Sequence, residues 1–200
     1  MIVIDVEIKN AILGRGETVR EGISYCKGWR DFEGMGVACV CTYDIDSHLT
    51  QVFLEKQLPD LQALIAEHGG ETAGFNTRRF DIPLLAAHGV TVPQEPHYDA
   101  LEKIWLQLGL NPDKFVPQTH GGWSLDAIML ATFALQKSGS GVMAPVWWQT
   151  GERGKVVSYC CRDTWLEAML IRHMRAGRPV KAAGKPAVTI PNPFANGVPK

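Results

Sequence analysis

The chain has 200 residues, of which 46% are hydrophobic and 20% charged, and its formal net charge at pH 7 is −1. This composition is typical of a globular domain, and the near-neutral charge excludes binding of nucleic acid through overall charge alone. No apolar run is long enough to span a membrane and no signal-like N-terminus is visible, so we expect a soluble cytoplasmic protein. The five cysteines are odd in number and lack zinc-site spacing, which favours reduced thiols.

The predicted elements begin with a buried strand over residues 1–8, which is rich in β-branched side chains. Residues 9–34 are expected to form a long ordered loop, because they combine several glycines with aromatic residues. A β-hairpin follows, with strands over 35–43 and 50–55 joined by a tight turn at 44–47.

Helices and two short strands are predicted for the rest of the chain up to residue 176. Capping and breaking residues set their bounds, as with Pro59 in the first turn of one helix and Gly69 after its end. In chain order these elements are a helix over 58–68, a strand over 72–75, a helix over 80–88, a strand over 97–99, and helices over 100–108, 125–136 and 155–174. Residues 139–154 are expected to be loop.

This order of elements predicts an α/β fold in which a mixed sheet carries helices on its faces, with the first strand in the centre. We expect one domain over 1–176. Residues 177–200 contain five prolines and cannot be helical, so they should form a Pro/Gly-rich C-terminal tail or a docked arm.

Two carboxylates in the first strand are the strongest functional signal. Side chains alternate along a strand, so Asp5 and Glu7 point to one face while Ile4 and Val6 point to the other. Neighbouring carboxylates in an apolar strand repel each other and are costly to desolvate. A bound divalent cation would relieve both penalties.

Two further acids follow at positions where they could join this pair. Asp81 lies in the first turn of a predicted helix, directly after a short strand, and Asp163 lies in the last long helix. Tyr159 is one helical turn before Asp163, so the two share a face. An oxygen-only set of four carboxylates suits Mg²⁺ or Mn²⁺, and two such ions about 4 Å apart can activate a water and stabilise a leaving phosphodiester oxygen.

Three stretches together resemble the motifs of one enzyme superfamily. Asp5-Val6-Glu7 matches D-x-E, residues 76–81 match N-x-x-x-F-D, and residues 159–163 match Y-x-x-x-D. In this order they are similar to the Exo I, Exo II and Exo III motifs of the DEDD (DnaQ-like) 3′–5′ exonucleases, tyrosine subclass. Residues 159–166 also look like the third motif of the proofreading exonuclease domain of B-family DNA polymerases, here as a stand-alone protein.

The resemblance implies a ribonuclease H-like fold with a mixed five-stranded sheet. It implies that Asp5, Glu7, Asp81 and Asp163 hold two divalent cations, Mg²⁺ or Mn²⁺, and that Tyr159 orients the attacking water. The chain departs from the family in Ile8, where threonine often follows the glutamate, and in the length of the 9–34 loop, which puts substrate handling in question.

Substrate contacts are less well defined. Asn76, Phe80 and Arg78 are candidates for binding the nucleic acid, but Asn76 can also close a turn, Phe80 can pack in the core, and Arg78 can lie at a solvated helix end. Trp147 and Trp148 could stack on unpaired bases, or pack beneath the last helix.

The leading hypothesis is a metal-dependent 3′–5′ exonuclease that acts on single-stranded 3′ ends, with DNA favoured over RNA. One alternative keeps the site but acts on RNA or short oligonucleotides, since nothing in the sequence detects a ribose 2′-hydroxyl. Another is a non-catalytic module that binds nucleic acid or a protein partner. DNA repair and DNA replication are both compatible with the sequence.

Overall fold

Strand β1 (Ile2–Ile8) is the centre around which the other elements are arranged. The computed structural model describes residues 1–14, 16–136, 139 and 141–191. The strands that follow β1 are β2 (Ala11–Ile12), β3 (Tyr25–Cys26), β4 (Val37–Asp44), β5 (Thr50–Leu54), β6 (Thr72–Gly74) and β7 (His97–Asp99). The helices are α1 (Phe32–Met35), α2 (Leu58–His68), α3 (Asp81–Ala87), α4 (Ala100–Gln107), α5 (Pro117–His120), α6 (Leu125–Phe133), α7 (Ala144–Gln149) and α8 (Arg153–Arg175).

The main sheet has five strands in the order β5-β4-β1-β6-β7. Strand β4 pairs with β1 and with β5 in antiparallel fashion, whereas β6 is parallel to both β1 and β7. The predicted fold class, an α/β fold with a mixed five-stranded sheet flanked by helices, is therefore confirmed. The hairpin and the central position of β1 are also as predicted.

Side chains of β1 alternate between two buried layers. Ile4 and Val6 pack with Leu61 of α2 and Ile82 of α3 on one face of the sheet. Val3 points to the opposite face of the sheet, where it belongs to the buried cluster that also contains apolar side chains of α8. Because Asp5 and Glu7 alternate with the first set, they lie on the α8 face.

Apart from residue 15, which lies outside the described residues, the 9–34 segment is ordered, as expected, but it is not entirely loop. It contains β2 and β3, which pair in parallel as a separate two-stranded sheet, and the start of α1. Gln149 at the end of α7 fastens this segment, because its amide nitrogen donates to the carbonyl oxygens of Lys9 at 2.8 Å and Ser24 at 3.1 Å. Pairing between two-residue strands depends on such distant contacts, which local sequence does not reveal.

The prediction of loop over 139–154 is wrong. Helix α7 occupies part of it, with Pro145 in its first turn, where proline is well tolerated. Trp147 and Trp148 on this helix pack against the cluster that contains Val156 and Tyr159 of α8. Helix α6 ends at Phe133, earlier than predicted, since Ala134 adopts a left-handed conformation with φ of 55°.

Part of the Pro-rich segment beyond α8 docks on the body. The backbones of Val180 and Val188 exchange two hydrogen bonds of 2.8 and 2.9 Å, and both side chains are buried in the core with Ala182. Residues 192–200 lie outside the described range, and the division at residue 176 stays a prediction. Across the part of the chain that the structure describes, no helix combines the length and apolarity needed to cross a bilayer.

Candidate metal centre

Strand β1 and helix α8 together build an acidic cluster. Glu7 is buried, Asp5 is half-buried, and Asp163 is only 3% exposed. One ligand atom from each of the three carboxylates lies within 4.8 Å of the other two. Residues from the first strand and the last long helix therefore meet at one place, as the motif spacing predicted.

The cluster fits a hard divalent cation. Its ligand atoms are carboxylate oxygens, the type that Mg²⁺ and Mn²⁺ prefer. Two oxygens bound to one Mg²⁺ at about 2.1 Å are at most about 4.2 Å apart. The observed spacing is close to that span, so small side-chain rotations would let Asp5, Glu7 and Asp163 hold one ion.

Asp81 lies beside this cluster and is bound to the backbone of β1. It is the first residue of α3, it is buried, and its Oδ1 accepts a hydrogen bond from the Val6 amide at 3.1 Å. Burial, and secondly the negative charge of Asp5, raise the pKa of the Asp81 carboxyl well above its usual range. Both causes disfavour the charged form of this carboxyl, and a cation bound nearby would act in the opposite direction.

The turn that presents Asp81 is organised by Asp99. The Asp99 carboxylate accepts hydrogen bonds from the backbone amides of Asn76 at 3.0 Å and Arg78 at 3.1 Å, and it also caps α4. Asn76 has a φ of 62°, a left-handed conformation that asparagine tolerates. Asn76 thus closes the turn between β6 and α3, whereas a contact with substrate stays a prediction.

A buried histidine holds the same turn. His97 lies 2.7 Å from the hydroxyl of Thr72 and 2.7 Å from that of Thr77, one on each ring nitrogen. Burial lowers the pKa of His97 to about 4, so the ring is neutral at physiological pH. It serves the packing of β6, β7 and the turn, in keeping with the absence of any histidine from the predicted site.

Tyr159 is buried on α8 one turn before Asp163, on the same side of the helix. The edge of its ring meets Trp147, with ring centroids 6.1 Å apart. The Nζ atom of Lys155 lies over the ring of Trp147, 4.4 Å from its centroid. Tyr159 is therefore packed in the core one helical turn from Asp163, and its role in orienting water stays a prediction.

Arg78 has protein partners for its guanidinium. It forms ion pairs with Glu95 at 2.7 Å and Glu102 at 2.9 Å, and it donates to the side chain of Gln94 at 3.0 Å. These contacts attach the β6–α3 turn to β7 and α4. A phosphate contact by Arg78, which stays a prediction, would have to compete with two carboxylates.

Two further residues were not proposed as site candidates from the sequence. Trp29, in the segment between β3 and α1, is 66% exposed, and its ring meets Phe80 edge-on with centroids 6.3 Å apart. Glu167 is 4% exposed and lies one turn after Asp163 on α8. The i, i+4 spacing from Asp163 could have indicated Glu167, whereas the position of Trp29 follows only from the folding of a long loop.

The fold has a recognisable counterpart among solved structures. It is similar to the family B DNA polymerase from the hyperthermophilic archaeon Pyrobaculum calidifontis, with a TM-score of 0.55 and 14% sequence identity. The likeness covers 87% of this chain but 24% of the polymerase, so the chain spans about a quarter of that protein's length. No protein-family model and no curated protein sequence matches the chain.

At this identity the likeness establishes the fold alone. It agrees with a ribonuclease H-like architecture, and the polymerase belongs to the family whose proofreading domains the Tyr159–Asp163 motif resembles. The acidic cluster could bind a metal ion. The sequence motifs and the three-dimensional likeness agree at the level of the fold.

Proposed function

We propose that this protein is a metal-dependent 3′–5′ exonuclease that removes nucleotides from single-stranded 3′ ends, with DNA as the preferred substrate. The observation that carries the proposal is the meeting of Asp5, Glu7 and Asp163 within 4.8 Å. Three carboxylates on one buried face of a sheet are hard to explain without cations, because each repels the others. The fold likeness to a family B DNA polymerase supports nucleic acid as the substrate.

The chain's own residues would divide the work as follows. Asp5, Glu7 and Asp163 would hold divalent cations, and Asp81, which lies beside Asp5, would be a further ligand. When bound, such cations activate a water and stabilise the leaving oxygen of a phosphodiester. The Tyr159 hydroxyl orients that water toward the phosphorus. The buried walls from β1 and α8 keep bulk water away from the acids and hold them at fixed positions.

The net charge of −1 means that the substrate must be held locally. Phe80, which precedes Asp81 in the chain, and the exposed Trp29 against its ring offer an aromatic surface. Stacking of bases on aromatic rings tolerates any sequence, as an enzyme that removes successive nucleotides requires. The same contacts would favour single strands over duplexes, because only unpaired bases expose both ring faces.

The test is a degradation assay on a single strand labelled at its 5′ end, with Mg²⁺ or Mn²⁺. We expect a stepwise ladder that disappears with EDTA and in the Asp163→Asn variant. Asp126→Asn is the matched control, since Asp126 is an exposed acid in the first turn of α6. Parallel DNA and RNA strands decide the preferred sugar. Absence of any ladder under both metals would refute the proposal.

A further inference from the structure

Four of the five cysteines form a thiol cluster between the sheet and α8. Cys39 and Cys41 lie on β4, and Cys160 and Cys161 lie on α8. The first three are fully buried and, together with Val156 and Tyr159, form one core cluster, against which Cys161 packs. The fifth, Cys26, belongs to a different cluster on the other face of the sheet.

The thiol cluster lies directly beside the acidic cluster. In the antiparallel pairing of β1 with β4, Cys41 is opposite Asp5 and Cys39 is opposite Glu7. Paired residues of neighbouring strands point to the same face, so the thiols and the carboxylates share the α8 side. On the helix, Cys161 precedes Asp163 by two residues, and the Cys160 thiol contacts the Asp5 carbonyl oxygen at 3.5 Å.

One pair within the cluster is close enough to react. The Sγ atoms of Cys41 and Cys161 are 3.1 Å apart, across 120 positions of sequence. A disulfide bond needs about 2.05 Å, so the two sulfurs must approach by only about 1 Å. Cys161 is half-buried whereas Cys41 is fully buried, which makes Cys161 the sulfur that a small oxidant reaches first.

We propose that Cys41 and Cys161 are a redox-active pair that hydrogen peroxide converts to an intramolecular disulfide between β4 and α8. The Cys161 sulfur attacks a peroxide oxygen and breaks the O–O bond, which gives a sulfenic acid and one water. The Cys41 thiol then attacks that sulfur, forming the S–S bond and releasing a second water. Two thiols lose two electrons, and one peroxide is reduced to two waters.

This inference rests on the geometry of the thiols and does not depend on the proposed nuclease activity. The test begins with fully reduced protein, freed of reductant and then treated with hydrogen peroxide. Free thiols are counted under denaturing conditions, and the linked peptides are identified by fragmentation in a mass spectrometer. We expect the count to fall from five to three, the linkage to join Cys41 to Cys161, and dithiothreitol to restore all five.

Single substitutions identify the pair. Cys161→Ser and Cys161→Ala should each keep all four remaining thiols, and the two variants guard against one that folds poorly. Cys160→Ser, its neighbour on α8, and Cys26→Ser, on the other face of the sheet, should each still lose two. A wild-type count that stays at five, a Cys161 variant that still loses two thiols, or a linkage between two chains on a non-reducing gel would each overturn the proposal.

Discussion

Replacing Asp163 with asparagine should stabilise the metal-free protein, although Asp163 is almost fully buried. Each pair among Asp5, Glu7 and Asp163 has oxygens within 4.8 Å. At that distance two unit charges repel by about 0.9 kcal/mol in water and about 3.5 kcal/mol at an effective dielectric constant of about 20. Asparagine keeps the shape of the side chain and removes two of the three repulsions.

The lower of these values sets the expected size of the effect. Two pairs at about 0.9 kcal/mol give a gain of about 1.8 kcal/mol, which corresponds to about 4–7 °C in melting temperature for a domain of this size. Thermal unfolding in EDTA measures it. Adding Mn²⁺ should reverse the order, because binding at 100 times its dissociation constant stabilises wild type by about 2.7 kcal/mol, and Asp163→Asn loses most of that gain.

Two results would refute the reasoning. One is a melting temperature of Asp163→Asn in EDTA that lies several degrees below that of wild type, since the carboxylate would then stabilise the fold. The other is an equal Mn²⁺-dependent shift in both proteins, since the ion would then bind elsewhere. The control Asp126→Asn changes an exposed acid outside the cluster and should shift stability by no more than about 0.5 kcal/mol in either buffer.

Three more predictions concern residues around the cluster. Because its pKa is raised, the Asp81 carboxyl binds a proton more tightly in the folded protein than in the unfolded chain. Metal-free stability should therefore fall as pH rises above 3.8, the usual pKa of this carboxyl. In urea titrations, Asp81→Asn should make the free energy of unfolding depend less on pH, and an unchanged pH dependence contradicts the assignment. Tyr159→Phe should lower turnover by about 10²-fold, less than Asp163→Asn, and leave the Mn²⁺-dependent melting shift intact; equal losses would show that the hydroxyl does more than orient water. Trp29→Ala should weaken binding of a single strand about tenfold, as expected for one lost stacking contact. Trp165 is also exposed but points away from Asp163 on α8, so Trp165→Ala should leave binding unchanged. Fluorescence anisotropy of a labelled strand in Ca²⁺ measures both affinities.

Elements with strong local signals could be predicted from the sequence. Helix α2 has the predicted bounds because Pro59 favours its first turn and Gly69 adopts the left-handed conformation that ends it, with φ of 56°. Strand β1 could be predicted because acidic and apolar side chains alternate along it. Alternation also predicted that Asp5 and Glu7 share a face, whereas Asp163 was expected beside them from the resemblance of the three motifs to those of the DEDD exonucleases.

Features that depend on distant contacts could not be predicted. The two-residue strands β2 and β3 pair only because the segment between them folds back and is fastened by Gln149. The close approach of Trp29 to Phe80 results from the same folding. Helix α7 does have a local signal, since Pro145 lies in its first turn, but the glycines on either side favoured the prediction of a loop.

The acids of the cluster come from nearly opposite ends of the chain, and this order has a consequence during protein synthesis. Asp5 and Glu7 leave the ribosome with the first strand of the main sheet, whereas Asp163 emerges only after all five strands of that sheet have been made. A product of interrupted translation that lacks α8 therefore has two of these three carboxylates without the third. Assembly of the complete site waits until α8 has been synthesised.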